Sequence, residues 1–207
     1  MATFRQYVDG ARCDPRDHVQ YDDLDALVAA VLSSDEALDD RATDSHPEMV
    51  GYQPTPARLV LDLVGDLQPT ERDVFVDVGS GLGTVPMLVA LLTDARTVGI
   101  EWNPSYCAYA EASARALNLS SASFVRQAAR EADFSVGTIF YMFTPFRGTM
   151  LRSVLERLAG EGRRRRIRLC VHGPLLREAV QASSAFAIEK ARGHDAFIAV
   201  FQSVPAA

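Results

Sequence analysis

A doubly wound α/β architecture, with a mostly parallel seven-stranded sheet and a terminal antiparallel hairpin, is the fold class this 207-residue sequence predicts. Three observations predict it. From residue 56 onward strand-like and helix-like segments alternate, the pattern of a parallel sheet covered by helices. A glycine-rich turn, "GSGLG", joins an apolar strand to a helix at positions 79–83. The last two strand-like segments, "FAIEKAR" and "DAFIAVFQSV", are separated by a brief loop too short for a crossover, which makes them an antiparallel pair.

The elements follow in order. "QYDDLDALVAAVLS" places Leu24, Leu27, Val28, Val31 and Leu32 at helical spacing. The next stretch, through "DSHPEMVGYQPTP", loses periodicity and gathers Asp, Ser and Pro, and reads as a long loop. Helix resumes at "PARLVLDLVGDL", with Thr55 expected as N-cap and Pro56 at the first helical position. "DVFVDVG" is a strand, "GTVPMLVALLTD" a helix, "RTVGIEW" a strand and "PSYCAYAEASARALNL" a helix. "SASFVRQ" and "VGTIFYMF" are strands, "MLRSVLERLAGE" is helical, "RIRLCVHG" is the fifth strand, and "PLLREAVQAS" is a short helix before the hairpin.

Composition narrows the function classes. Hydrophobic residues at 48% and charged residues at 23% are ordinary for a globular domain. No apolar run approaches the roughly 20 residues of a membrane span. "MATFRQYVDGARCDPRD" lacks the apolar core of a secretory signal, so a cytoplasmic protein is expected. Cys13, Cys107 and Cys170 form neither a disulfide framework nor a zinc pattern. Cys170, inside "IRLCVHG", is expected to be a small buried hydrophobe. The four histidines are scattered, and no metal is expected.

The net charge of −6 is uneven: residues 1–50 carry −8 and the remainder +2. Residues 1–50 are therefore read as an acidic, partly helical extension, and 51–207 as the functional domain. An acidic leader on a near-neutral body argues against a nucleic-acid partner. The run "GRRRRIR" at 162–168 is expected to be a solvated turn before the fifth strand.

The glycine loop carries the chemistry. A P-loop needs Lys-Ser/Thr after its glycines, and none is present. A dinucleotide loop has the form G-x-G-x-x-G, whereas Gly79, Gly81 and Gly83 are spaced G-x-G-x-G. Asp77, two residues before the first glycine, would repel a pyrophosphate but attract a cationic amino group. Glu101 ends the second strand, where a carboxylate can accept both hydroxyls of a ribose. A ligand with a ribose and a cationic amino-acid tail, but no phosphate, satisfies both. S-adenosylmethionine is such a ligand. An NAD-dependent oxidoreductase is disfavoured by the same residues, and a cofactor-binding module without catalysis is the other alternative.

With "VDVGSGLGT" and "VGIEWNP" the sequence resembles the class I, seven-strand S-adenosylmethionine-dependent methyltransferases over roughly residues 52–203. The resemblance implies a Rossmann-like fold and S-adenosylmethionine as cofactor. Asp77, Gly79, Ser80, Gly81 and Gly83 would surround its methionine part, Glu101 its ribose and Trp102 its adenine face. Gln127 would serve the adenine edge. For Trp102 the alternative is ordinary sheet–helix packing.

A shorter resemblance joins "GYQPTPARLV", the GSG loop and "E-x-N-P" to the lysine-directed members of the histone-core and ATP-synthase-subunit type. It implies that Tyr52, Gln53 and Thr55 close over the cofactor's carboxylate end. The acceptor is expected beyond the fourth strand, where Tyr141, Thr144 and Phe146 of "YMFTPF" are the candidate catalytic residues: Tyr141, Phe143 and Phe146 would line a slot, Thr144 and Pro145 would shape a rigid turn, and at least one of Tyr141 and Phe143 is expected in the core. "FTPF" only faintly resembles the Asp/Asn-Pro-Pro-aromatic motif of adenine-directed enzymes. The acceptor is therefore read as a protein lysine or another amine, with a small molecule or nucleic acid as alternatives.

Overall fold

Strands Val74–Val78 (β1), Arg96–Glu101 (β2), Ala122–Arg126 (β3), Ile139–Phe143 (β4), Arg168–His172 (β5), Phe186–Arg192 (β6) and Ile198–Ser203 (β7) form one sheet in the order β3-β2-β1-β4-β5-β7-β6. This is a computed structural model, and it describes residues 21–33, 47–192 and 198–204. Strands β1 to β5 pair in parallel, and β7 runs antiparallel between β5 and β6. Helices Asp23–Leu32 (α1), Ala57–Leu67 (α2), Thr84–Leu92 (α3), Pro104–Ala116 (α4), Gly148–Arg164 (α5) and Pro174–Gln181 (α6) cover its faces. The predicted architecture and the terminal hairpin are present.

The direction of winding reverses between β1 and β4. At such a switch point the two adjoining connections leave in opposite directions and open a crevice beyond the carboxyl ends of the strands. Asp77 lies in that crevice, opposite Gly99 on β2 and Tyr141 on β4.

Period-2 alternation divides the core. Phe75, Ile139, Tyr141 and Cys170 pack on one face against α2, α3 and α4. Val76, Val78, Phe140, Met142 and Leu169 pack on the other against Val154 and Leu158 of α5. Each such side chain stabilises the fold by roughly 1.5–3 kcal/mol. Helix α1 belongs to the first core, since its Leu24, Val28 and Leu32 are buried in the same cluster as Leu59, Val60 and Leu63.

Two expectations are corrected here. Thr55 does not cap α2. Pro56 occupies the N-cap position, and the first amide, of Ala57, donates instead to Asp25 Oδ1 at 2.7 Å. Asp22 pairs with Arg58. Two carboxylates of the acidic extension thus tie α1 to α2. The arginine run is a solvated turn only in part: Arg163, Arg164 and Arg166 are exposed, but the run is not a turn throughout and several of its side chains bind the fold. α5 extends through Arg164, Arg165 donates to the carbonyls of Gly137 and Phe134 at 2.5 and 2.6 Å, Arg166 bonds Gln202, and Arg168 donates to Leu67 O at 2.9 Å. Five-donor guanidinium groups at strand and loop ends satisfy carbonyls that the sheet leaves over. Cys107 and Cys170 are buried free thiols, as expected of Cys170, and Cys13 lies outside the described residues.

Candidate active site

A cavity of about 670 Å³ opens at the carboxyl end of β1 and β4. Its floor is the glycine loop. Gly79 N and Ser80 N both donate to Ile100 O, at 2.9 and 3.0 Å, which bends the chain sharply away from β1. Gly79 and Gly81 have φ of +90° and +53°, values L side chains resist. A Cβ on Gly79 would lie 2.4 Å from Pro145 Cβ, and one on Gly81 would lie 2.5 Å from the Tyr52 ring. Both glycines therefore make room for protein groups, as well as bringing the backbone to the cavity. The Ser80 hydroxyl points towards Gly99 rather than into the open space, so Ser80 contributes main chain.

Asp77 is 3% exposed yet borders the cavity. Burial, and then the nearby Glu101 carboxylate, push its pKa well above the ordinary carboxylate range. Burial also raises Glu101, although Glu101 Oε2 accepts from Gly81 N at 2.8 Å and Oε1 from Asn103 N at 2.7 Å. Glu101 thus clamps the glycine loop to the start of α4. A carboxylate offers about four lone-pair directions, so two remain for a ribose. A desolvated anion costs free energy until a cation enters beside it. Among the described residues, Arg130 is the basic side chain on the cavity wall.

Trp102 is 44% exposed on that wall, which removes the packing alternative. Gln127 also lines it, with Nε2 donating to Glu131 O at 3.3 Å. Tyr106, which no sequence motif marks, meets Tyr52 edge to face with centroids 5.7 Å apart. Asn103 was also passed over, although an Asn before Pro is an N-cap signal. Its Oδ1 accepts from Ser105 N at 2.9 Å and sets the start of α4 below the wall.

The acceptor end rearranges the expected roles. Phe143 is half-buried and lines the cavity, whereas Phe146 is 3% exposed and packs with Phe140 and Met142, only an edge reaching the wall. The reason is that the turn at Thr144 ends β4, and residues 145–147 then run alongside 48–50, which places Phe146 in the core on the α5 face. The Tyr141 hydroxyl shares a 3.0 Å hydrogen bond with Thr55 Oγ1, and burial raises its pKa. Thr144, at φ +39°, donates its hydroxyl to His172 O at 3.0 Å and so acts in shaping the turn. His172 lies behind Phe143, outside the cavity wall, and burial lowers its pKa to about 4. No carboxylate or imidazole reaches the cavity between Phe143 and Met150 among the described residues.

Among the described residues no group of three His, Cys, Asp or Glu side chains is placed to hold a metal, and no helix is long and apolar enough to cross a membrane.

The family model for the histone methylation protein DOT1 matches residues 46–138, a little under half of the chain. No curated protein sequence matches. Among solved structures, an RNA methyltransferase from Salinibacter ruber in complex with S-adenosyl-L-homocysteine is 20% identical with a TM-score of 0.59, covering 75% of this chain and 95% of its own. Precorrin-6y C5,15-methyltransferase from Geobacter metallireducens is 14% identical with a TM-score of 0.57, covering 76% and 93%. TrmN from Thermus thermophilus is 18% identical with a TM-score of 0.56, covering 72% and 48%. At these identities the likeness is one of fold. With an RNA enzyme among them, the expectation that excludes nucleic acid as a partner has no support.

Proposed function

We propose that the chain is a class I S-adenosylmethionine-dependent methyltransferase and that it methylates an amine nitrogen, foremost a protein lysine. The observation that carries the choice of atom is the acceptor end of the cavity, walled by Phe143, Pro145, Met49 and Met150 and lacking a general base among the described residues. The partial likeness to a histone methylation family favours lysine over other amines.

Bound S-adenosylmethionine supplies a methyl group activated by its sulfonium. Asp77 would meet its ammonium, Glu101 its ribose hydroxyls, and Trp102 and Gln127 its adenine. Tyr52 and Thr55 would close the methionine end. With these contacts the cavity fixes one end of an in-line displacement, and near-attack positioning then provides much of the rate. The incoming nitrogen must arrive neutral, with its lone pair free. The new N–C bond forms as the C–S bond breaks, the pair in that bond staying on sulfur, and the nitrogen's surplus proton leaves to water.

Phe143 and Met49 exclude water from that line and favour the methylene stem of a lysine. A hydroxyl or an unactivated carbon acceptor would need a base that this wall lacks. A ring nitrogen of a nucleic acid or small molecule meets the same requirement and is the second reading, motivated by the RNA enzyme of the same fold.

The test is transfer of radiolabelled methyl groups into a cell lysate split into protein, RNA and small molecules. Label in protein, recovered as methyl-lysine after hydrolysis, is the expected result. Label recovered as an ether, an ester or a C-methyl product would overturn the amine reading.

A further inference from the structure

We infer that Glu48 is a positioning residue: it latches the segment 47–56 over the cavity and thereby sets the rate at which the cofactor enters and leaves. This role rests on the cofactor reading above. Glu48 is not on the cavity wall, so it acts through its neighbours.

Arg147 occupies the N-cap position of α5 but supplies no side-chain cap. The unpaired amides of that first turn are instead taken by a carboxylate from 100 residues away in sequence. Glu48 Oε1 accepts from Thr149 N at 2.8 Å, and Oε2 accepts from Met150 N at 3.0 Å and from the Thr149 hydroxyl at 2.8 Å. An anion there also meets the positive end of the helix. The fit leaves no space at position 148, where a Cβ would fall 2.1 Å from Glu48 Oε1 on a residue with φ +63°.

The main chain on either side is zipped to the acceptor loop. Arg147 N donates to Glu48 O at 2.8 Å, Val50 N donates to Pro145 O at 3.1 Å, and Met49 bridges Phe146. Two residues further, Tyr52 lies on Gly81, and Thr55 holds Tyr141. The segment therefore spans the cavity from the acceptor loop to the glycine loop, and Met49, Val50, Gly51, Tyr52 and Gln53 form its roof. Its contacts at Tyr52 and Thr55 are aromatic or neutral. The charge-assisted attachments, Glu48 on α5 and the Arg147 guanidinium donating to Pro47 O at 3.3 Å, are both at the end nearest the acceptor loop. A ligand enclosed beneath such a roof leaves only when one attachment releases.

Trp102 is the sole tryptophan and sits on the cavity wall, so its fluorescence reports occupancy. The experiment is stopped-flow binding and release of S-adenosylhomocysteine, with calorimetry and thermal melting alongside. Glu48→Ala is expected to speed both capture and release by about tenfold, with the equilibrium constant changing much less. Glu48→Gln, which keeps one acceptor oxygen, is expected to lie between. Arg147→Asp in the Glu48→Ala background restores a cap to α5 without restoring the latch, so the melting temperature should recover while release stays fast. Arg147→Asp alone serves as the control.

Release that returns to the wild-type rate in the double variant would show Glu48 to be a helix cap only and overturn the inference. So would unchanged exchange rates in Glu48→Ala and Glu48→Gln. Absence of S-adenosylhomocysteine binding by the wild-type protein would instead sink the cofactor reading, and the latch with it.

Discussion

Phe143 and His172 stack with ring centroids 3.9 Å apart and planes 11° from parallel, so the aromatic wall of the acceptor end is backed by an imidazole that burial keeps neutral. One face of Phe143 serves the cavity and the other the protein. Phe143→Ala should therefore slow methyl transfer on the order of a hundredfold, through lost positioning, while leaving cofactor affinity nearly unchanged. Phe146→Ala is the contrast, a core truncation costing about 3–5 kcal/mol of stability. Thermal melting, calorimetry with S-adenosylhomocysteine and the rate of label transfer into the accepting lysate fraction separate the two. A normal transfer rate in Phe143→Ala removes it from the acceptor wall.

Cofactor affinity should rise with pH. In the free protein Asp77 has its pKa raised by burial and by Glu101, and a cationic ammonium beside it would lower that pKa. Binding then releases a proton. Affinity increases as pH climbs through the raised pKa and levels off above it. For folding the sign is opposite: a raised carboxylate pKa favours the native state at low pH, and that contribution is lost as pH rises through the native value. Asp77→Asn should thus raise the melting temperature of the free protein at neutral pH, less so in acid, while weakening S-adenosylhomocysteine binding. Calorimetry in two buffers of different ionisation heat would count the proton, and a count of zero rejects the linkage.

Glu101→Ala should lower cofactor affinity by about one to two orders of magnitude, as expected for charge-assisted hydrogen bonds to a ribose. It should also destabilise the free protein by about 1–3 kcal/mol, because Gly81 N and Asn103 N both lose their acceptor. Glu101→Gln keeps one acceptor and should recover part of each. Chemical denaturation beside calorimetry checks both effects, and an unchanged dissociation constant would take Glu101 out of the site.

Gly81→Ala places a methyl group where the Tyr52 ring lies, 2.5 Å away, on a residue at φ +53°. Backbone strain of about 1–2 kcal/mol remains whatever the neighbour does. The steric part is separable. Adding Tyr52→Ala should restore part of the stability lost in Gly81→Ala, giving a coupling of about 0.5–3 kcal/mol in a double-mutant cycle. Additive losses would show that the ring does not rest on the loop.

What the sequence determined by itself is whatever rests on the chain's local chemistry. Short, near-continuous apolar runs bounded by turn residues marked β1, β4, β5 and β7, because a strand covered on both faces buries every side chain. The spacing of Gly79, Gly81 and Gly83, with Asp77 and Glu101 at the ends of β1 and β2, specified which end of the sheet carries the candidate site and that two carboxylates border it. Asp77 is joined to Gly79 by two peptide bonds, and Glu101 ends the next strand of the same strand–helix–strand unit, so their neighbourhood is legible from the local chain.

Only the tertiary structure decided the contacts between distant segments. It set Asp25 rather than Thr55 on the first amide of α2, put Tyr52 on Gly81, and gave the cap of α5 to Glu48. It also left Phe143 on the cavity wall and buried Phe146, since the path of the chain past Thr144 depends on residues 48–50 lying beside it. Each of these choices is a competition among several donors or rings of similar local propensity. Such a competition is resolved by which of them the packed core brings within about 3 Å, the reach of a hydrogen bond.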